Sequence, residues 1–90
     1  MPVEFDPEKN AVNIAKHGIA LTEGDGVLDD PLSGTVEDVA AEGEQRWLTI
    51  GTNVFGALLV VVWTRRGKNE RIISVRKPDS RERKDYETKR

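Results

Sequence analysis

The chain lacks cysteine altogether and contains a single histidine, His17. Disulfides and thiolate metal sites are therefore excluded, and one imidazole does not make a zinc site without help from carboxylates. The longest apolar run, residues 57–63, is far too short to cross a membrane. The first residues are neither basic enough nor apolar enough for a secretory signal. We therefore expect a cytoplasmic protein.

Basic residues are scarce in the first part of the chain and abundant in the last. Residues 1–64 contain three basic and eleven acidic side chains, a balance of −8, whereas residues 65–90 contain eleven basic and five acidic ones, a balance of +6. A cationic segment after an anionic body indicates a surface for a polyanion, most often nucleic acid. A solvated, salt-bridged helix at the end of the chain would produce the same pattern.

Length and composition are those of one small domain. The 90 residues are 37% hydrophobic and 33% charged, which is enough for a single modest core. No internal repeat and no linker rich in Pro, Gly or Ser divides the chain. We therefore expect one domain over residues 1–90.

The N-terminal part predicts two helices. Asp6 can accept hydrogen bonds from the first free amides of a helix, and Pro7 fits the first helical position. Residues 16–18, two potential cations and a glycine, are typical of a helix end. An apolar stripe at helical spacing joins Ala11, Ile14, Ala15 and Gly18. Residues 22–28 predict a second, short helix, in which Gly24 and Gly26 each cost roughly 1 kcal/mol.

Strand patterns occupy most of the remaining chain. The predicted strands are residues 3–5, 32–36, 46–52, 58–64 and 70–76. The run 58–63 has no polar face, which predicts a central strand covered on both sides. Asp79 and Glu82 have capping-box spacing and predict a last helix. The order β-αα-ββββ-α predicts an α+β fold, an antiparallel sheet with two N-terminal helices and one C-terminal helix packed on it.

An ordered series of short motifs runs from Phe5 to Glu87. It comprises Asp6-Pro7, Lys9, Asn13 and Lys16-His17-Gly18; Glu23, Val27-Leu28 and Asp30-Pro31; Arg46 with Ile50-Gly51; Val60-Val61-Val62 with Thr64 and Arg66; and residues 71–76 with Glu82-Arg83 and Tyr86. The series resembles the pattern of the BrnT toxins of bacterial type II toxin–antitoxin systems, which share the RelE-like fold. The chain departs from that pattern at Phe5, where relatives usually have tryptophan, near Gly24, where they have alanine, at Ala57, where they often carry an arginine, and in residues 39–43.

The resemblance implies an activity and two partners. The expected activity is that of a toxin, a metal-independent endoribonuclease without a cofactor that cleaves RNA and inhibits translation. One partner would be the RNA, free or on the ribosome. The other would be a BrnA-like antitoxin, a small DNA-binding dimer that masks the RNA-binding face. Toxin and antitoxin would form a hetero-oligomer that binds operator DNA through the antitoxin.

Cleavage of RNA without a metal needs groups that move protons and cations that stabilise the charge developing on the phosphate. Histidine is the side chain type that exchanges protons near neutral pH, so His17 is the first candidate for general acid or base. Its alternative role is to close the end of the first helix. Lys16 would bind phosphate or merely offset the helix dipole.

The guanidinium fork matches phosphate oxygens two at a time, which makes arginines the next candidates. Four of them lie on or beside the last two strands: Arg65, Arg66, Arg71 and Arg76. In a regular strand Arg71 and Arg76 fall on opposite faces, so that both cannot point into one site from mid-strand. The resemblance favours Arg76, with Arg71 next. Arg65 and Arg66 would contact RNA or occupy a solvated turn.

The last helix contributes two further candidates. Arg83 and Tyr86 lie three residues apart, so they share a face of that helix. The Tyr86 hydroxyl could transfer a proton or its ring stack on a base, or the side chain could anchor the helix to the sheet. We expect Glu82 to cap the helix and Glu70 to pair with Arg71. Trp47 and Trp63 are expected in the core.

The nominated catalytic residues are thus His17, Arg76 and Tyr86. The nominated RNA-binding residues are Lys16, Arg65, Arg66, Arg71 and Arg83, with no metal ligand. An alternative function stays open, a non-catalytic RNA-binding or protein-interaction domain of the same fold, because no residue pair demands catalysis by its spacing alone. A third hypothesis, an acidic mimic of nucleic acid, is disfavoured because the negative charge is dispersed.

Overall fold

The computed structural model describes residues 3–39 and 43–88, which form a five-stranded sheet with helices packed around it. The strands are β1 (Val3–Glu4), β2 (Gly34–Glu37), β3 (Trp47–Thr52), β4 (Leu58–Arg66) and β5 (Asn69–Arg76). The helices are α1 (Pro7–His17) and α2 (Ser80–Thr88), and two 3₁₀ turns, Leu21–Gly24 and Val27–Asp29, follow α1. The predicted α+β class and order of elements are confirmed. None of the described helices is long and apolar enough to span a membrane.

The predicted second helix is replaced by the two 3₁₀ turns. Asp25 is extended, with φ −61° and ψ 136°, and Gly26 is left-handed, with φ 88°. Neither conformation continues a helix, so the chain stops turning after Gly24 and starts again at Val27.

The strands lie in the order β1-β5-β4-β3-β2. Strand β4 is therefore central, as its unbroken apolar run predicted. Strands β2 to β5 pair antiparallel, whereas β1 pairs parallel to β5, so the sheet is mixed rather than wholly antiparallel. A tight hairpin forces two strands to run antiparallel. Because residues 5–68 separate β1 from β5, no hairpin joins these two strands and they can pair parallel.

One face of the sheet packs against the 3₁₀ turns and forms the hydrophobic core. The core cluster contains Ile19, Leu21, Val27, Leu59, Val61, Trp63, Ile72 and Val75. A Cβ at Gly24 would lie 3.0 Å from Val75 and 3.1 Å from Val61, so the first turn approaches the sheet closely because it has a glycine there. The opposite face, called the outer face below, carries α2 over β3.

Strand β5 contains a bulge that the sequence pattern did not predict. Val62 pairs with Ser74 and Trp63 pairs with Ile72, which leaves Ile73 as an extra residue. Ile72 and Val75 are consequently both buried in the core, although they are three residues apart. Regular alternation would have placed them on opposite faces.

Helix α1 begins and ends where the sequence predicted. The Asp6 carboxylate accepts a hydrogen bond from the Glu8 amide at 2.9 Å, and Gly18, with φ 70°, donates its N–H to the Ile14 carbonyl. The apolar stripe is not the buried face, however. Ala11, Ile14, Ala15 and Gly18 are all exposed, and Asn13 is the buried residue of the helix.

Asn13 docks the helix through its side-chain amide. Its Nδ2 donates to the carbonyls of Ile19 (2.7 Å) and Val75 (2.8 Å), and its Oδ1 accepts from the Val75 amide and the Ser74 hydroxyl, both at 3.2 Å. Strand β1 pairs with β5 only at Glu70 and Arg71. The Asn13 amide therefore takes the place of a neighbouring strand at the part of β5 that follows the bulge.

Replacement of Asn13 by alanine should lower the free energy of unfolding by about 3–5 kcal/mol, because several buried backbone groups lose their partner at once. Urea unfolding followed by circular dichroism measures the loss. Val12→Ala, at a 64% exposed position of the same helix, is the matched control and should change the value by less than about 0.5 kcal/mol. Equal stabilities of the two variants would contradict the role of Asn13.

Candidate functional site

A cleft lies between α1 and β5. Its volume is about 450 Å³, and its lining comprises Glu8, Lys9, Val12, Asn13, Lys16, His17, Ile73 and Ser74. Lys9 and Lys16, seven residues or about two turns apart, lie on one side of α1, and His17 is the next residue after Lys16. The cleft therefore combines two ammonium groups and an imidazole with the carboxylate of Glu8 and the hydroxyl of Ser74.

The bulge at Ile73 changes the expected geometry of the β5 arginines. Arg71 pairs with Thr64 and Arg76 pairs with Val60, two β4 residues an even number of positions apart, so both arginines lie on the outer face. The prediction that they occupy opposite faces was wrong because it assumed a regular strand. Ser74, which pairs with Val62, lies on that face between them and lines the cleft.

Arg76 forms a bidentate ion pair with Glu82. Both guanidinium–carboxylate distances are 2.8 Å, and a weaker bond of 3.3 Å runs from Arg76 to the Lys77 carbonyl. The hydrogen bonds between the two side chains lower the pKa of Glu82 and raise the pKa of Arg76. Glu82 also forms the predicted capping box with Asp79, through bonds of 2.9 and 2.8 Å. One carboxylate thus caps α2 and orients Arg76.

Arg71 pairs with Glu4 rather than with Glu70. Its Nε lies 3.0 Å from the Glu4 carboxylate, which also accepts from Asn69 at 3.0 Å. Those hydrogen bonds, Asn69 first and then Arg71, lower the pKa of Glu4. The expected Arg71–Glu70 pair was wrong because Glu70 shares a sheet face with Arg65, whereas Arg71 points to the outer face with Glu4.

None of the five arginine candidates, Arg71 and Arg76 included, is among the residues that line the cleft. Arg65 is exposed and lies over the Trp63 ring, 5.9 Å from its centroid. Arg66 is exposed at the start of the β4–β5 turn, and Arg83 is exposed on α2. Trp63 is in the core and Trp47 stacks on it with ring centroids 4.9 Å apart, as predicted.

Tyr86 is 4% exposed and donates a 2.7 Å hydrogen bond to Asp30. Arg83, three residues earlier, is exposed, so the two side chains do not form one surface as their spacing suggested. The structure places Tyr86 as an anchor of α2, the alternative role considered above, with its hydroxyl oriented towards Asp30.

Asp30 joins three elements of the structure. Its carboxylate accepts from the Thr52 amide (2.8 Å), the Leu32 amide (2.9 Å) and the Thr52 hydroxyl (3.1 Å) as well as from Tyr86. Burial by itself would raise the pKa of Asp30, but the hydrogen bonds outweigh it and lower that pKa to about 2. A Cβ at Gly51 would lie 3.1 Å from the same carboxylate, so the glycine leaves room for it.

Tyr86→Phe should lower the free energy of unfolding by about 1–2 kcal/mol at pH 7, since a hydrogen bond to a charged group is lost while the ring packing stays. The pKa of Asp30 is lower in the folded chain, so its contribution is present above about pH 4 and disappears as the pH falls through about 2. The difference between variant and wild type should therefore shrink over that range. Denaturation curves at several pH values test this, and a difference that stays constant down to pH 2 would contradict it.

Four polar residues of the cleft lining were not nominated by the sequence analysis: Glu8, Lys9, Asn13 and Ser74. Lys9 was noted only as part of a motif, although its position seven residues before Lys16 was a usable signal for one helix side. Ser74 gave no signal, because its place in the cleft depends on the bulge. Within residues 3–39 and 43–88, no group of three or more His, Asp and Glu side chains is arranged to hold a metal ion.

Ala57 and the described residues of the segment 39–43, Val39 and Gly43, are not part of the cleft lining. Ala57 is exposed at the end of the β3–β4 hairpin, where its amide donates to Asn53 at 3.0 Å. Of the segment 39–43, residues 40–42 lie outside the described residues, Val39 is 92% exposed, and Gly43 has φ 88°.

Comparison with known proteins gives two findings. A family model described as the ribonuclease toxin BrnT of a type II toxin–antitoxin system matches residues 5–82. The 1.1 Å crystal structure of the ribonuclease toxin BrnT from Brucella abortus is similar, with a TM-score of 0.69 and 23% sequence identity over 89% of this chain and 99% of that one. No curated protein sequence matches. Because the family model covers most of the sequence, the chain belongs to the BrnT toxin family of type II toxin–antitoxin systems.

Proposed function

We propose that the chain is an endoribonuclease that cleaves RNA by attack of a ribose 2′-hydroxyl on the adjacent phosphate, without a metal, and thereby inhibits translation. The observation that carries the proposal is the α1–β5 cleft, which His17 lines together with Lys16 and Lys9. The description of the matched family as a ribonuclease toxin supports the same activity.

His17 supplies the proton transfer in this proposal. It is partly buried at the end of α1, and it lines the cleft together with both lysines. A neutral imidazole takes the proton of the 2′-hydroxyl, or an imidazolium gives one to the leaving 5′-oxygen. A side chain placed for either step contributes roughly 10²–10⁴-fold to the rate.

The lysines and the outer-face arginines supply the positive charge. Lys9 and Lys16 reach the cleft from α1, whereas Arg71 and Arg76 lie on either side of Ser74 along β5. Both arginines are held by carboxylates, Glu4 and Glu82, at 3.0 and 2.8 Å. A phosphate offers the same pair of oxygens as a carboxylate, so it can replace either partner on the guanidinium.

The roles of the other nominated residues follow from their surroundings. Tyr86 acts by fixing α2, and with it Glu82 and Arg76, rather than by transferring a proton. Arg65, Arg66 and Arg83 attract RNA over a wider area, since exposed cations act mainly through the general field of the surface.

Membership of a toxin–antitoxin family implies a neutralising antitoxin as a partner. We propose that this antitoxin is BrnA-like and binds DNA, so that the hetero-oligomer of the two proteins binds its operator through the antitoxin. We also propose that the RNA is cleaved either free or on the ribosome.

The test is cleavage of end-labelled RNA by the purified, antitoxin-free chain in excess EDTA. Wild type should produce fragments ending in 2′,3′-cyclic phosphate. His17→Ala should reduce the rate by roughly 10²–10⁴-fold and Arg76→Ala by roughly 10²–10³-fold. Lys84→Ala, which removes an exposed cation of α2 outside the cleft lining, should cleave at the wild-type rate.

The same experiment separates the enzyme from a binding domain of the same fold. RNA that is bound but not cleaved, even when translating ribosomes are added, would reject the ribonuclease. Cleavage that continues unchanged in both His17→Ala and Arg76→Ala would reject the assignment of these residues. Unfolding midpoints of the variants must match wild type, so that lost activity is not lost structure.

A further inference from the structure

Strand β2 is the edge of the sheet farthest from the cleft. It pairs with β3 on one side, and residues 35–37 are exposed. Natural edge strands are protected by short length, charged side chains, proline or a bulge, because an open edge is a template for another strand, and β2 has its short length and Glu37. The sequence of β2, Gly-Thr-Val-Glu, has neither lysine nor proline, and its register with β3 is unbroken.

The hydrogen bonds of β2 show which backbone groups point away from the sheet. Asp38 donates its amide to the Arg46 carbonyl at 2.8 Å, so these opposed residues form a hydrogen-bonded pair. Such pairs alternate along an antiparallel ladder, so Val36 also bonds to β3. Thr35 and Glu37 fall in the intervening positions, where N–H and C=O groups are directed to the outer edge.

Exposed apolar side chains accompany this edge. Leu32 is 47% exposed, Val36 is 63% exposed and Val39 is 92% exposed, all within eight residues of chain. Val36 also lines a groove of about 180 Å³ on the outer face, together with Leu48, Ile50 and Val60. The edge thus offers both unused backbone groups and an apolar strip beside them.

We propose that β2 is a docking edge for the antitoxin, which adds an extended segment as a sixth strand of the sheet. The segment would place apolar side chains beside Val36 on the outer face and at least one lysine or arginine near Glu37. Backbone bonds to Thr35 and Glu37 fix its register, and the apolar strip selects its alternate side chains. The proposal rests on membership of a toxin–antitoxin family and not on cleavage of RNA.

Charge selects this occupant over a second copy of the chain. Glu37 ends β2 and Asp38 follows it directly, so two carboxylates lie at the end of this edge strand. Two copies paired through β2 would bring like charges together, which is unfavourable. A basic segment is complementary instead.

The groove connects the proposed docking edge to the candidate site. It runs from Val36 across β3 to Val60, where its lining includes Glu82, the partner of Arg76. An antitoxin segment that continues beyond the added strand along this groove reaches the Arg76–Glu82 pair. Docking at the far edge is therefore compatible with masking of the RNA-binding face.

Hydrogen–deuterium exchange of the full chain, with and without the antitoxin that neutralises it on co-expression, tests the proposal directly. The amides of Thr35 and Glu37 should exchange rapidly in the free chain and at least about tenfold more slowly in the complex. A complex that forms while both amides stay in rapid exchange would overturn the proposal. Slow exchange without antitoxin that depends on chain concentration would also overturn it, because a second copy would then occupy the edge.

Substitutions at the exposed Glu37 provide a second test. Glu37→Pro removes an outward N–H without touching the β2–β3 ladder and should weaken antitoxin binding at least about tenfold. Glu37→Ala keeps the N–H and is the matched control, with a loss of no more than about threefold, whereas Glu37→Lys should weaken binding by more than Glu37→Ala. Equal affinities of the proline and alanine variants would reject the added strand. If the proline variant fails to fold, the exchange measurement decides.

RNA cleavage is measured separately, so the two proposals can fail independently. If the chain cleaves RNA but binds its antitoxin elsewhere, only the proposal of the docking edge is rejected. If the chain does not cleave RNA but the amides of Thr35 and Glu37 are protected in the complex, the proposal of the docking edge stands and the ribonuclease is rejected.

Discussion

The side-chain amide of Asn13 is the interaction on which the candidate site depends. It bonds to both backbone groups of Val75 at the edge of β5 that β1 does not cover, and in doing so it docks α1. The cleft exists because the helix is held there by a polar residue rather than by a broad apolar face. A buried amide satisfies its hydrogen bonds in very few orientations, so it fixes the position of the helix more strictly than apolar packing would.

The same contact lies beside the bulge that organises the arginines. The extra residue at Ile73 keeps Ile72 and Val75 in the core and turns Arg76 to the face that already carries Arg71. Bulges commonly redirect a side chain next to a functional site, at the cost of ladder hydrogen bonds. Asn13 bonds to the backbone of Val75 on the edge of β5 away from β4 and to the Ser74 hydroxyl, and both residues directly follow the extra residue. The geometry of the cleft and the placement of the cations therefore share one local cause.

Sequence reasoning succeeded where structure is determined locally and failed where distant residues decide it. The caps of α1 and α2, the central position of β4 and the α+β order follow from neighbouring residues and were all predicted. The bulge in β5 was not predicted, because side chains of a strand are assumed to alternate between the two faces unless the pairing with a partner strand is known. In the structure the bulge is visible as two buried residues, Ile72 and Val75, that are three positions apart. The hydrogen-bond partners of charged side chains could not be predicted from the sequence either. Glu4 is 67 residues from Arg71 and Asp30 is 56 from Tyr86, so no spacing rule connects them.

The division of charge along the sequence is not repeated as a simple division of the sheet. The acidic first part supplies β2 and β3 at one edge, and it also supplies β1, which lies beside β5 at the other edge and brings Glu4 to Arg71. The basic last part supplies β5 and α2, and α2 packs over β3 on the outer face. A net charge of −2 conceals the asymmetry of the sequence, since the two regions nearly cancel. The fold thus pairs Arg71 and Arg76 with carboxylates, so a phosphate that binds either arginine has to take the place of Glu4 or Glu82.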